Sequence, residues 1–137
     1  MRQTAAALDA RRLAAEAVRE GFEVIAAAGG DGTLNEVLNG IADVPEGLER
    51  VRLGVLPLGT INVFARELGI PQRFDLAWQT LRSGRETKID LPVVEYGAGG
   101  ARARRCFAQL AGAGLDARAI ELVNWPLKKR IGPGAKK

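Results

Sequence analysis

The sequence predicts an α/β fold with a parallel sheet, and three observations support this prediction. Two consecutive stretches each run from an apolar strand through a glycine-containing loop into a helix, an order typical of parallel strands. The 137 residues are 47% apolar, which suits one packed domain of roughly the usual 150 residues. Near residue 88 the helical spacing of apolar residues changes to the alternation of apolar and polar residues that is typical of strands. We therefore expect an α/β domain over residues 1–87 and the start of a β-rich second domain over residues 88–137.

The composition excludes several classes of protein. The chain has no His and a single Cys, Cys106, so it offers no internal disulfide and no zinc or other soft-metal site. Its longest apolar runs, such as residues 24–28, are far shorter than the roughly 20 residues that span a bilayer. Without His, proton abstraction must use a carboxylate, a Lys or a group outside the chain. We expect a cytoplasmic protein without a His-based triad.

The first unit of the α/β domain follows an amphipathic helix. Apolar residues recur at helical spacing through residues 6–18, with charged residues on the opposite face. Gly21 ends this helix, and residues 22–28 (FEVIAAA) predict a short strand buried on both faces. Residues 29–33 (GGDGT) come next, and helical spacing resumes at Leu34. The glycines therefore lie between the end of a strand and the start of a helix.

The second unit repeats this order. Residues 53–57 (LGVLP) predict a buried strand and residues 58–62 (LGTIN) a loop, which leads into a short helix stopped by Gly69. Asp75 is expected to cap a further helix that closes at Gly84. Two such units in sequence indicate that their strands are parallel neighbours.

Beyond residue 84 the pattern indicates a β-hairpin. Residues 87–93 alternate in polarity, residues 97–100 are rich in glycine and predict a turn, and residues 105–111 predict the returning strand. Residues 116–124 predict a last helix, and a basic tail over residues 128–137 ends the chain.

Residues 29–33 carry the clearest functional signal. Gly29, Gly30 and Gly32 have no Cβ to block an approaching phosphate, and their N–H groups can point into one concavity. The following helix adds its unpaired N-terminal amides. Asp31 would repel a phosphate unless a cation lay between them, so we interpret it as a Mg²⁺-associated or substrate-orienting carboxylate. The alternative is a structural turn in which Asp31 and Thr33 cap the helix.

The motif differs from the common nucleotide fingerprints, since it is neither GxGxxG nor GxxxxGK[ST]. The segment GGDGTLNEVLNG, followed by LPLGTINVFARELGIP, instead resembles the catalytic domain of the diacylglycerol kinase and sphingosine kinase family, in particular its bacterial lipid kinases. The resemblance extends from about Thr4 to Lys129. It implies a Rossmann-like parallel sheet of the NAD kinase and diacylglycerol kinase type, followed by the first strands of a C-terminal β-sandwich domain.

The resemblance also implies a site for ATP with Mg²⁺. It places Thr60 of the second loop against the nucleotide, and Thr4, ahead of the first helix, in the same site. Val63 departs from the family, which often has there an Asp of a water network around Mg²⁺. We assign no catalytic residue and no metal ligand. The nucleotide-binding residues expected are Thr4, Gly29, Gly30, Asp31, Gly32, Thr33, Leu34, Asn35 and Thr60.

We expect the chain to lack parts of the family domain at both ends. An opening strand with an Asn-Pro-x-x-Gly loop has no counterpart before Thr4, and the resemblance places the general base in a β-sandwich of which only the first strands are here. The expected result is nucleotide binding with little or no kinase activity from this chain alone. A sheet with open edges would also favour a homo-oligomer.

The function implied is transfer of the γ-phosphoryl group of ATP to a hydroxyl of diacylglycerol or a similar lipid. Residues 101–137 hold nine basic and two acidic side chains, which fits peripheral contact with an anionic inner membrane face. We expect no nucleic-acid partner. Two alternatives stay open: a non-catalytic nucleotide-binding or assembly module, and a kinase of a soluble substrate such as NAD.

Overall fold

The structure, a computed structural model, describes residues 1–98, 101–115, 117–118 and 122. The predicted final helix and the basic tail therefore fall largely or wholly outside the described residues. In the described part of the chain the elements are α1 (Asp9–Arg19), β1 (Val24–Gly29), α2 (Asp31–Ala42), α3 (Gly47–Arg50), β2 (Arg52–Pro57), α4 (Val63–Glu67), α5 (Phe74–Ser83), β3 (Val93–Ala98) and β4 (Ala101–Cys106). None of these helices is long and apolar enough to cross a membrane.

The predicted parallel sheet is confirmed by the pairing of β1 with β2. The register runs from Val24 opposite Arg52 to Gly29 opposite Pro57, so the strands are matched along their whole length. Since parallel strands end at the same edge, both glycine-containing loops emerge side by side. The α/β fold class follows from this pairing and from the helices between the strands.

Small residues let α1 and α2 pack at backbone distance. Ala14 and Val18 of α1 are buried against α2, and a Cβ on Gly40 of α2 would lie 2.1 Å from the carbonyl oxygen of Arg11. The Arg11 guanidinium also donates to both carboxylate oxygens of Asp43, at 2.6 and 2.7 Å. Close packing and this ion pair together fix α2 against α1.

The α1–α2 pair covers one face of the sheet. Val18 and Ile41, at 0% and 1% exposure, form the centre of the core. Ile25 of β1 and Leu53 and Val55 of β2 pack against that core from the sheet. These three side chains share one face because alternate residues of a strand point the same way.

The opposite face of β1 is exposed, so the prediction of a strand buried on both faces is wrong. Val24 is 48% exposed, and Ala26 and Ala28 are exposed as well. On β2 the helix α5 provides cover, with Leu81 packed against Gly54. An apolar run cannot reveal how many layers cover it.

Within the described residues the outer edges of β1 and β2 are unpaired. Oligomer formation through these edges stays a prediction.

Helices α5 and α3 differ from the predictions. Asp75 does not cap α5: the cap residue is Arg73, and the Asp75 carboxylate lies in the first turn and pairs with the Arg73 guanidinium at 2.7 Å. A carboxylate in a first turn still interacts favourably with the helix dipole, which explains the similar sequence signal. The short helix α3 (Gly47–Arg50) was not predicted, since four residues carry no measurable periodicity.

The predicted hairpin forms with different limits. β3 and β4 are antiparallel, from Val93 opposite Cys106 to Ala98 opposite Ala101. The pairing ends with the N–H of Phe107 donating to the carbonyl oxygen of Pro92, at 3.1 Å. Residues 87–92 are therefore not a strand, and the returning strand stops short of the predicted residues 107–111. Alternation shows which residues could form a strand, whereas a strand also requires a partner.

The glycines of α2 give a first prediction. Gly40→Ala should lower the free energy of unfolding by about 1–3 kcal/mol, because its Cβ collides with the Arg11 carbonyl. Gly32→Ala, the matched control in the same helix, meets no atom of the described chain within 4 Å and should gain up to about 1 kcal/mol of helix propensity. Urea unfolding of both variants checks this, and equal effects would contradict the close packing of α1 and α2.

The Arg11–Asp43 pair gives a second prediction, on pH. Hydrogen bonding from Arg11 lowers the pKa of the Asp43 carboxyl from its ordinary 3.8. The pair therefore contributes fully above that ordinary value, and its contribution disappears as the pH falls through the lowered pKa. Because Asp43 is partly exposed, we expect less than about 1 kcal/mol.

The measurement is urea unfolding of the wild type and Asp43→Asn at several pH values. The difference between their free energies of unfolding should be constant near neutral pH. It should disappear as the pH falls below the ordinary pKa of 3.8. Asp75→Asn, which removes a more exposed paired carboxylate, is the control and should show a smaller difference. A difference for Asp43→Asn that persists in acid would show that the lost ion pair is not its cause.

Candidate functional site

The two glycine-containing loops meet at the carboxyl edge of the parallel sheet. β1 runs into loop 1 (residues 29–33) and β2 into loop 2 (residues 58–62). The Leu58 N–H donates to the Gly29 carbonyl oxygen at 3.0 Å, which extends the strand pairing into the loops. Since α2 begins at Asp31, its N-terminus lies at the same edge. Strand pairing thus brings together the two segments that the sequence singled out.

Loop 1 and loop 2 touch through their backbones. A Cβ on Gly59 would lie 2.3 Å from the Cα of Gly30, and one on Gly30 would lie 3.3 Å from the Cα of Gly59. Gly29 is confined in another way, because its Cβ would lie 2.6 Å from the Thr33 hydroxyl oxygen. These glycines are required to build the loops, whatever the loops bind.

Gly32 differs from the other glycines of loop 1. It is exposed, and a Cβ added there meets no atom of the described chain within 4 Å. It lies in the first turn of α2, where backbone N–H groups have no partner within the helix. The open space over Gly32 is therefore the place where an anionic group can approach these amides.

Asn62 fixes the shape of loop 2. Its backbone is left-handed, with φ 53°, a conformation that Asn tolerates better than most residues. Its buried side-chain amide accepts from the Gly59 N–H and donates to the Gly59 carbonyl oxygen, both at 2.9 Å, and it donates to the Gln72 amide oxygen at 3.0 Å. These bonds close loop 2 on itself and leave Thr60 exposed at its tip.

Asp31 links loop 1 to the helix that follows loop 2. One carboxylate oxygen accepts from the N–H of Val63 at 3.0 Å, and the other accepts from the N–H of Phe64 at 3.1 Å. These N–H groups belong to the first turn of α4, where they have no partner within the helix. Asp31 therefore caps a helix, as one of the two interpretations held, but the helix is α4 and not its own.

The remaining predicted residues lie around these loops. Thr60 is exposed beside Gly59, and Thr4 is exposed ahead of α1. In the described part of the chain no hydrogen bond joins Thr4 to either loop. Leu34 supports loop 1 from the core, since its side chain is 4% exposed and its N–H donates to the Gly30 carbonyl oxygen. Asn35 is half-buried in the next position of α2.

Two further polar residues of α2 hold neighbouring elements. The Glu36 carboxylate accepts from the Ala10 N–H near the start of α1, at 3.2 Å. The buried Asn39 amide forms two bonds with the backbone of Cys106 at the end of β4, accepting from its N–H at 2.9 Å and donating to its carbonyl oxygen at 2.8 Å. These residues attach α1 and the hairpin to the helix that starts at loop 1.

The sequence interpretation did not assign a role to Arg66 at this site. Its Nε donates to the Ile61 carbonyl oxygen of loop 2 at 2.8 Å, and the side chain is exposed. The two terminal nitrogens of the guanidinium have no hydrogen-bond partner among the described residues. The positively charged guanidinium of Arg66 is therefore held beside loop 2. In the sequence, the position of Arg66 four residues after that loop was the signal that could have indicated this role.

A cleft of about 430 Å³ opens beside loop 1. It lies between the first turn of α2, Phe64 of α4 and the segment that follows β4. The lining is mainly apolar, with polar side chains from loop 1, α2 and the segment after β4; it comprises Asp31, Gly32, Leu34, Asn35, Phe64, Phe107, Ala108, Gln109 and Leu110. An apolar molecule that fills this cleft would have one end close to loop 1.

Comparisons with known proteins agree on one family. Residues 1–94 match the family described as "Diacylglycerol kinase catalytic domain". Diacylglycerol kinases of Staphylococcus aureus strains JH9 and NCTC 8325 are each 40% identical over 127 residues, which cover 93% of this chain and 37% of the relative. A crystal structure of a diacylglycerol kinase from Bacillus anthracis strain Sterne aligns with a TM-score of 0.59 at 29% identity, covering 72% of this chain and 32% of that one. The chain thus spans about a third of the length of these relatives.

Asn62 gives a third prediction. Asn62→Ala should lower the free energy of unfolding by about 2–4 kcal/mol, because it leaves backbone groups of Gly59 unpaired and puts Ala in a left-handed conformation. Asn62→Gly loses the same hydrogen bonds without the strain and should be about 1 kcal/mol less harmful. Urea unfolding measures both, and equal losses would mean that the backbone at Asn62 is not strained.

Proposed function

The chain belongs to the diacylglycerol kinase catalytic-domain family, and we propose that it supplies the ATP-binding part of a kinase that phosphorylates a lipid hydroxyl. In the reaction the hydroxyl oxygen bonds to the γ-phosphorus, the bond from that phosphorus to the bridging oxygen breaks, and ADP leaves. The hydroxyl proton passes to a base. Most of the catalytic work in such transfers is positioning and charge stabilisation.

Phosphate positioning is the part of this work that the described residues support. The observation that carries the proposal is the pair of loops in backbone contact, with the α2 N-terminus beside them. We propose that the phosphates of ATP lie over Gly32 and accept from the first N–H groups of α2. Thr33 and Thr60 are the hydroxyl groups nearest to this position along the two loops, and Arg66 offers a positive charge beside loop 2.

The residues also fit an ATP-borne Mg²⁺. Among the described residues no three His, Cys, Asp or Glu side chains come together to form a metal site. Mg²⁺ on a nucleotide commonly needs only one or two carboxylates, since phosphates and waters complete its shell. Asp31 would lie closest and would meet the ion through one of those waters, since both of its oxygens accept hydrogen bonds from α4. When bound, Mg²⁺ would neutralise phosphate charge in addition to the backbone amides and Arg66.

The apolar cleft beside loop 1 favours a lipid as the phosphoryl acceptor. Phe107, Ala108 and Leu110 present apolar surface there, while Asp31 and Gly32 line the cleft from loop 1. A lipid hydroxyl placed beside loop 1 would meet the γ-phosphate with its apolar part in the cleft. A soluble dinucleotide such as NAD would bury charged phosphates against the same apolar surface, at a cost in desolvation.

ATP binding gives a fourth prediction. Saturating ATP with Mg²⁺ should stabilise the wild-type chain, by about 2.7 kcal/mol at a hundredfold excess over Kd. Gly32→Leu should abolish this effect, because the side chain fills the space over the α2 amides. The unliganded protein should stay folded, since a Cβ at this position meets no atom of the described residues within 4 Å. Gln79→Leu on the exposed surface of α5 is the control. Thermal unfolding with and without nucleotide measures all three.

Two outcomes would contradict this part of the proposal. One is a wild-type chain that folds but is not stabilised by ATP. The other is a Gly32→Leu chain that binds ATP as tightly as wild type, since the phosphates would then lie elsewhere.

The acceptor is tested with a relative, because the chain spans 37% of the staphylococcal enzymes. Transfer of labelled phosphate from ATP to a short-chain diacylglycerol and to NAD should be compared in one of them. Leucine at the position that matches Gly32 should abolish transfer to the lipid. Phosphorylation of NAD in preference to the lipid would overturn the proposed acceptor.

A further inference from the structure

We propose that Asp31 is a positioning residue, whose carboxylate holds loop 2 against loop 1 and so sets the phosphate-binding geometry through α4. The inference rests on the proposed function for its effect on ATP, but the link itself is a property of the unliganded chain. It assigns Asp31 a task other than direct coordination of a metal.

Both carboxylate oxygens of Asp31 have hydrogen-bond partners within the described chain. Each oxygen accepts one amide from α4, at 3.0 Å from Val63 and 3.1 Å from Phe64. The residue itself lies in the first turn of α2, so its carboxylate is close to the N-terminal ends of two helices. The two amides lie in the first turn of α4, where they have no acceptor within the helix. Each carboxylate oxygen is therefore already engaged by a hydrogen bond from the chain itself.

The link matters because few other groups join the two loops. The contact of Gly30 with Gly59 is one of backbone atoms and van der Waals forces. Asn62 bonds within loop 2 and to Gln72, not to loop 1. Among the described residues, the polar links across the loops are the Leu58–Gly29 bond at the strand side and the two bonds of Asp31 at the helix side. Without Asp31, the two loops would have no polar link at the helix side among the described residues.

The side chain at position 63 takes no part in this link. Val63 contributes its N–H, and its side chain is 41% exposed. The link therefore forms with Val in this position, where the family that the sequence resembles often has Asp. Val63→Ala should leave the link intact, and it serves as a control for changes at α4.

Amide hydrogen exchange in the unliganded chain tests the link directly. In Asp31→Ala the amides of Val63 and Phe64 should exchange at least about tenfold faster than in wild type, because local opening then exposes them. Asp31→Asn keeps one carbonyl oxygen and should show an intermediate rate. Asp75→Asn, which makes the same charge change on α5, should leave both rates unchanged. Unaltered exchange of the two amides in Asp31→Ala would overturn the proposal.

Equilibrium binding of ATP separates positioning from metal coordination. If Asp31 is a positioning residue, Asp31→Ala should weaken ATP binding by the same factor with Mg²⁺ and with a chelator present. Asp31→Asn should then bind ATP more tightly than Asp31→Ala under both conditions. A loss confined to the Mg²⁺ condition would overturn the proposal in favour of a metal ligand. A wild-type chain that binds no ATP would contradict the proposed function, while the exchange rates would still decide the link.

Discussion

Backbone contact between Gly30 and Gly59 is the constraint on which the rest of the site depends. Parallel pairing of β1 and β2 delivers two loops to one edge, and the loops can touch because neither position carries a Cβ. This contact is apolar and non-directional. Polar groups around it must therefore fix the relative position of the loops, which the Leu58 N–H does at the strands and Asp31 does at α4. Amides that bind an anion need such fixed positions, since their advantage over water lies in being already oriented.

Helix α2 is the element through which the surrounding structure is attached to this site. Asp31, Glu36 and Asn39 hold α4, α1 and β4 respectively, each through backbone groups of the partner. Gly40 of the same helix lets α1 approach to backbone distance. The stretch that most resembles a ligand-binding motif is thus also a structural centre. A substitution there changes packing and binding together unless, as at Gly32, the position faces open space.

The local sequence predicted the fold class and loop positions well because these follow from short-range patterns. Strand–loop–helix order requires no knowledge of distant contacts, and it correctly placed both loops at the end of parallel strands. The two errors in the strands share one cause. The exposed face of β1 and the early end of the hairpin at Cys106 both depend on what lies against a segment. A pattern of apolar and polar residues does not identify the neighbours of a segment.

By itself the sequence determined that this chain is an α/β protein with two glycine-containing loops, and its motifs pointed to the family that the comparisons then showed. The tertiary structure decided what the conspicuous residues do. It showed that Gly30 and Gly59 are in backbone contact and that Asp31 caps a helix distant in sequence. It also showed that, among the described residues, only Gly32 of the loop 1 glycines has room for an added Cβ. The physical reason is range: helix and strand periodicities act over a few residues, whereas these roles arise from groups about thirty residues apart that only strand pairing brings into contact.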